Sequence, residues 1–181
     1  MKAVLISIQP QWCEKIASGE KTIEVRKSVP KLPRPFKVYI YMTYGKTPKV
    51  ISLPGKEGFE EFPLHNIHPD CANGKVIGEF MCRGIMGEYS PLLERQSCMT
   101  ALEIMNYANG KRVYGWRIAD LKIYDEPKEL DEFDHPCEKG IADEDCKGCK
   151  YCFKGTTSGN IYCDRAVLTP PQSWCYVEAQ K

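Results

Sequence analysis

The sequence has no apolar run approaching the roughly 20 residues that a membrane-crossing helix requires. Its opening stretch, MKAVLISI, meets Gln9 and Pro10 too soon for a secretory leader and shows no cleavage-like end. A cytoplasmic protein with no membrane partner is therefore expected. Also missing is a sustained alternation of strands and helices, and with it the glycine fingerprint that seats a dinucleotide. No internal repeat is clear, although QPQWC at 9–13 and PPQSWC at 170–175 are alike. Histidine is scarce, with three in 181 residues. His65 and His68, followed by Asp70 and Cys71, read as a local loop network rather than a catalytic metal site.

A net excess of charge is lacking too. The formal net charge is +1, which by itself does not point to nucleic acid. The balance conceals an asymmetry. Residues 1–60 hold eleven Lys/Arg and five Asp/Glu, whereas residues 121–181 hold eight and twelve. A basic first third can face phosphate, and it can equally be scattered surface lysine.

With 181 residues, 43% of them apolar, the chain has enough for the core of one domain spanning 1–181. Lys2 to Ile8 is rich in Val, Leu and Ile and reads as a strand. Pro10 suits the first turn of a helix that Gly19 stops. Thr22 to Arg26 reads as a second strand, with Ile23 and Val25 on one face and Thr22, Glu24 and Arg26 on the other. Lys21 stands at its entry. Pro30, Pro33 and Pro35 exclude a central strand over 29–35 and imply an ordered loop or an edge. Lys37–Thr43, Lys75–Cys82, Tyr114–Tyr124 and Ser173–Glu178 complete the expected strands. Thr100 with Glu103 has capping-box spacing for a second helix ending at Asn109-Gly110. Residues 44–74 are rich in Gly, Pro and charge and read as an irregular excursion. Five or six short strands with two helices predict an α+β fold, a small barrel or strongly bent sheet. Tyr39 and Tyr41 fall on one face of their strand and are assigned to the core.

The stretch Gly19-Glu20-Lys21-Thr22-Ile23-Glu24-Val25-Arg26, after a strand and a short helix, resembles the G-x-K-x-x-E-x-R signature of the ASCH domain. That domain is similar to the PUA domain, a small β-barrel of RNA-associated proteins. The segment YGWRIADLKIYDEPKEL, the cysteine-rich tail and PPQSWCYVE resemble the phage and prophage branch of the family. The resemblance covers most of the chain. It implies a PUA-like β-barrel with flanking short helices, and binding of RNA or a modified nucleotide in a basic cleft around the signature. It also implies two alternatives: an amidohydrolase that removes acyl groups from N4-acylated cytidine, and a small ribonuclease. A host protein is a further partner that the phage likeness suggests. In the amidohydrolase branch a lysine opens the signature strand, a threonine follows three residues later, and a glutamate comes from a helix. Those positions correspond here to Lys21, to Glu24 in place of the threonine, and to Glu103.

The residue chemistry agrees with either use. Lys21 can polarise or protonate, Glu24 or Glu103 can activate water, and Arg26 can hold a phosphate or a developing oxyanion. The bland alternative is an ordinary ion pair. Lys27, Lys31 and Arg34, braced by the prolines, join Lys21 and Arg26 as phosphate candidates, unless they form only a solvated charge run.

The chain has ten cysteines. Five of them, Cys137, Cys146, Cys149, Cys152 and Cys163, fall within 27 residues of a polar, Gly-rich segment. In a reducing compartment such a cluster holds metal more often than it forms disulfides. Four thiolates suit structural zinc, and the metal would supply the folding energy that the segment lacks in apolar residues. The family-like pattern favours Cys137, Cys146, Cys149 and Cys163 as ligands, with Cys152 as the alternative. The expected result is a zinc-binding insertion over 134–164 before the last strand. Free thiols or an iron–sulfur cluster are the competing readings. Cys13 and Cys82 lie in regular elements and read as small buried hydrophobes.

Overall fold

The computed structural model of the chain describes residues 1–44, 72–87, 89–137, 150–154 and 161–180. In chain order the elements are β1 (Lys2–Ile8), α1 (Pro10–Ala17), β2 (Ile23–Arg26), β3 (Phe36–Met42), β4 (Val76–Met86), α2 (Pro91–Ser97), α3 (Ala101–Ala108) and β5 (Tyr114–Lys128). A 3-10 turn at Leu130–Glu132 precedes β6 (Cys152–Lys154), β7 (Ile161–Cys163) and β8 (Trp174–Glu178). Most of the expected excursion at 44–74, with His65, His68, Asp70 and Cys71, lies outside the described residues.

Six strands form one sheet in the order β2-β5-β4-β3-β1-β8. Only β1 and β3 pair in parallel within it. Helix α1 belongs to the crossover between those two strands, because parallel neighbours need a long connection. The strands β2 and β8 are the two edges of this sheet, so the PUA-like barrel is a curled half-barrel with three short helices. Among the described residues no helix is long and apolar enough to cross a membrane.

Both faces of the sheet are covered, which is why its central strands read as continuous apolar runs. Val4, Ile6 and Ile8 of β1 join Val38, Ile40, Phe80 and Trp116 under Cys13 and Ile16 of α1. The alternate residues Ala3 and Leu5 pack with Tyr39, Tyr41, Phe133, Val167 and Val177 on the other face. The core assignment of Tyr39 and Tyr41 therefore holds. A third cluster joins Ile23 and Val25 of β2 to Leu93 of α2, Ile104 of α3 and Val113.

Helix α2 is a helix that the sequence pattern did not suggest, as it did not suggest the β6–β7 pair. Its start is chemically explicit: Pro91 occupies the first turn and the Ser90 side chain accepts from the Leu93 amide. The strands β4 and β5 run past their expected ends, to Met86 and Lys128. Their pairing is interrupted by register shifts, which bend the sheet.

Candidate functional site

The connection from α1 to β2 brings the signature residues together. Gly19 takes φ +80, a left-handed conformation open to glycine at little cost, and ends the helix. The Lys21 amide then donates to the Lys15 carbonyl at 2.8 Å, and the Thr22 amide to that of Gln96 at 2.9 Å. These bonds set the phase of β2. Ile23 and Val25 turn toward α2 and α3, while Glu24 and Arg26 turn toward β1 and α1.

Lys21, Glu24 and Arg26 are all buried, at 2%, 5% and 8% exposure. The Lys21 Nζ donates to the Ser97 carbonyl at 2.7 Å and lies 3.4 Å from Glu24 Oε2. It also lies 5.0 Å from the centroid of the half-buried Trp12 ring. The Arg26 Nη2 donates to the Ser7 carbonyl at 2.6 Å and meets Glu24 Oε1 at 3.1 Å. One carboxylate thus sits between two cations, and two main-chain carbonyls accept further hydrogen bonds from them. Buried charges persist only with such partners.

The set is not fully satisfied. Glu24 Oε2, Arg26 Nε and Trp116 Nε1 are buried without a hydrogen-bond partner. They are neighbours, because Trp116 of β5 stands opposite Glu24 in the strand register. Cys13 lies close by on α1. Burial pushes its thiol far above the ordinary value, and the Glu24 charge adds to the effect. It stays protonated and is no nucleophile. Burial likewise lifts Cys82 to about 11. Both match the reading of these two cysteines as small hydrophobes.

The other expected site residues lie elsewhere. Glu103 is exposed at the start of α3, where its Oε2 accepts from the Thr100 amide at 2.7 Å and from the Thr100 hydroxyl at 2.9 Å. Those bonds hold its carboxyl below the ordinary value. Lys27, Lys31 and Arg34 are exposed. The Lys27 Nζ sits 4.9 Å from the Tyr107 ring centroid.

The described architecture is similar to that of solved proteins. A crystal structure of ASCH from Zymomonas mobilis superposes with a TM-score of 0.54 at 17% identity, covering 97% of this chain and 87% of that one. A serine-to-alanine variant of the Zymomonas protein gives 0.54 at 18%, covering 97% and 88%. The chain has the ASCH fold. No protein-family model matches the sequence, and no curated protein resembles it in sequence.

Of the expected zinc ligands, Cys137 and Cys163 are described, as is the alternative Cys152, while Cys146 and Cys149 lie outside the described residues. Cys152 and Cys163 stand directly opposite each other across the β6–β7 pair. The Cys137 amide donates to Glu178 Oε1 at 3.2 Å, which ties this segment to β8. Among the described residues no group of three metal-ligating side chains is assembled.

Trp12, Trp116, Cys13 and the carbonyls of Ser7 and Ser97 are the site groups that sequence reasoning missed. Trp116 is fully buried, and its pairing with Glu24 has no local signal in the sequence.

Proposed function

We propose that the chain binds RNA or a single nucleotide through the Lys21–Glu24–Arg26 set beneath Trp12. One observation carries this reading: Arg26 Nε and Trp116 Nε1, buried on adjoining strands, have no hydrogen-bond partner, and Glu24 Oε2 beside them has only the Lys21 ammonium at 3.4 Å and no hydrogen bond. Each such atom costs about 1–3 kcal/mol, which a ligand with its own donors and acceptors would recover. One acceptor and two donors suit the edge of a base better than a phosphate, which offers acceptors only. Lys27, Lys31 and Arg34 are then the phosphate contacts. The RNA association implied by the PUA-like resemblance supports the same reading.

The test is tryptophan emission during titration with nucleotides and short single-stranded RNA. Binding should perturb Trp116, and Glu24→Gln should weaken it in protein that still folds. Absence of binding at low salt, or equal binding by the variant, would overturn the reading.

The 3.4 Å approach of Lys21 Nζ to Glu24 Oε2 favours a second use of the same site, hydrolysis of N4-acylated cytidine. Water would add to the acyl carbon with Glu24 as base. The C–N bond would break with the proton going to the cytosine N4, and cytidine and a carboxylic acid would leave. Glu103 can take part only by leaving Thr100. Release of cytidine, abolished by Lys21→Ala, would establish this chemistry. Cleavage of RNA itself would mark a ribonuclease instead. A host-protein partner, drawn from the likeness to phage members, has no observation of its own in the structure.

We further propose one structural zinc on Cys137, Cys146, Cys149 and Cys163, with Cys152 as the alternative ligand. The cross-strand placement of Cys152 and Cys163 supports a zinc in this segment and favours the alternative in which Cys152 is a ligand beside Cys163, because two thiols face to face suit a tetrahedral ion. Such a zinc would hold the segment's fold without touching the Lys21 site. Metal analysis of protein purified under reducing conditions should find close to one equivalent.

A further inference from the structure

A concavity of about 230 Å3 lies beside the signature strand, walled by Val29, Pro30, Leu32, Arg34, Phe36 and Tyr114. Drug-sized ligands occupy clefts of about 300 Å3 and more, so this one suits a single ring system. Its wall is the proline-rich loop between β2 and β3. That loop is held from outside: the Lys31 amide donates to the Tyr176 hydroxyl at 2.7 Å and Trp174 Nε1 to Ser28 Oγ at 3.0 Å. The prolines stiffen it further, so little order is lost when a ligand binds.

The lining is apolar and aromatic with a guanidinium at its edge. Residues 26–37 carry Arg26, Lys27, Lys31, Arg34 and Lys37 and no acid. Among the described residues neither Lys31 nor Arg34 has a carboxylate within ion-pair reach. An apolar slot beside unneutralised cations matches a ligand that joins a flat ring to an anion.

The cleft also adjoins the signature set. Tyr114 is the register partner of Arg26. Phe36 meets Trp116 edge-on at 5.8 Å, and Trp116 stands opposite Glu24. Phe36 and Trp116 link the two sites.

We propose that this cleft holds one unpaired base of single-stranded RNA, with the neighbouring nucleotide at the Lys21–Glu24–Arg26 set and Arg34 and Lys31 on the phosphates between them. The inference rests on the RNA reading above and assigns it a second base site. Stacking on aromatic and apolar walls tolerates any base, so the cleft contributes affinity rather than sequence choice.

The experiment uses the full chain and short single-stranded RNA carrying one 5-iodouridine. Irradiation should cross-link the iodouridine to Phe36 or Tyr114. Replacing that nucleotide by an abasic one should weaken binding about tenfold, within the range that stacking one base supplies. Arg34→Glu, at an exposed position, should lower affinity and flatten its dependence on salt. RNA binding with cross-links only near Trp12 or Trp116 and no abasic penalty would overturn the second site and leave the first intact. Binding of mononucleotides but no gain for longer RNA would do the same. No binding of either would remove both.

Discussion

Glu24 is one carboxylate serving two buried cations. Its removal would leave Lys21 and Arg26 facing each other in a poorly hydrated space, so Glu24→Ala should destabilise the fold by about 3–5 kcal/mol. Urea unfolding would measure this as a lower midpoint. The set itself was legible, because Lys21, Glu24 and Arg26 follow a short helix at strand spacing. Its burial was not legible, because that comes from α1, β1 and the end of α2 closing around it. The glycines carry a similar lesson. A Cβ on Gly115 would press on two buried side-chain methyls, Leu93 Cδ1 at 2.6 Å and Ile23 Cγ2 at 2.8 Å, which side-chain rearrangement can partly relieve. A Cβ on Gly78 would press on the Lys122 carbonyl oxygen, which belongs to the neighbouring strand. Gly78→Ala should therefore lower the melting temperature more than Gly115→Ala does.

At the scale of elements, α3 shows how local chemistry marks a helix start. Thr100 and Glu103 form a complete capping box, as their spacing indicated. The bonds from Thr100 keep the Glu103 carboxyl below its ordinary value of 4.5. A lowered carboxylate contributes stability above that value and loses it as pH falls through the folded one. Glu103→Gln should thus be less stable than the parent at neutral pH. The difference should fade as pH drops below 4.5, which parallel melts would show. The β6–β7 pair is the opposite case, and the zinc proposal makes its order depend on an ion rather than on capping or a core. Chelation should increase hydrogen exchange over 150–154 and 161–163 while β1, β3 and β4 stay protected. Unchanged exchange in metal-free protein would end the zinc proposal. The helix α2 was overlooked although Ser90-Pro91 is a legible start signal. Its seven residues are too short for a periodic stripe to stand out.

For the whole molecule, two carboxylates fasten segments that are distant in sequence. Glu79 of β4 accepts from Lys37 of β3 at 2.9 Å and from Tyr124 of β5 at 2.7 Å. Burial works to raise its pKa, but these bonds outweigh burial and the carboxyl ends below its ordinary 4.5. Glu178 of β8 is lowered chiefly by the Cys137 amide and then by Arg165. Both contributions are present at neutral pH and vanish as pH falls through the lowered values. Stability should therefore decline below about pH 4.5, and Glu79→Gln should make that decline shallower. Acid titration followed by circular dichroism would register it.

The strands β1, β2 and β3, the start of β5, the helices α1 and α3, and the shared face of Tyr39 and Tyr41 were legible in the sequence alone. Apolar alternation, a proline start and a capping pair act over a few residues and need no partner. The half-barrel opening between β2 and β8, the position of Trp116 opposite Glu24, and the cleft under the proline loop were decided only in the tertiary structure. Each depends on register between segments far apart in the chain. A shift of one residue there would turn Glu24 and Arg26 away from Ser7, and the burial of Ile23 and Val25 against Leu93 and Ile104 specifies against it.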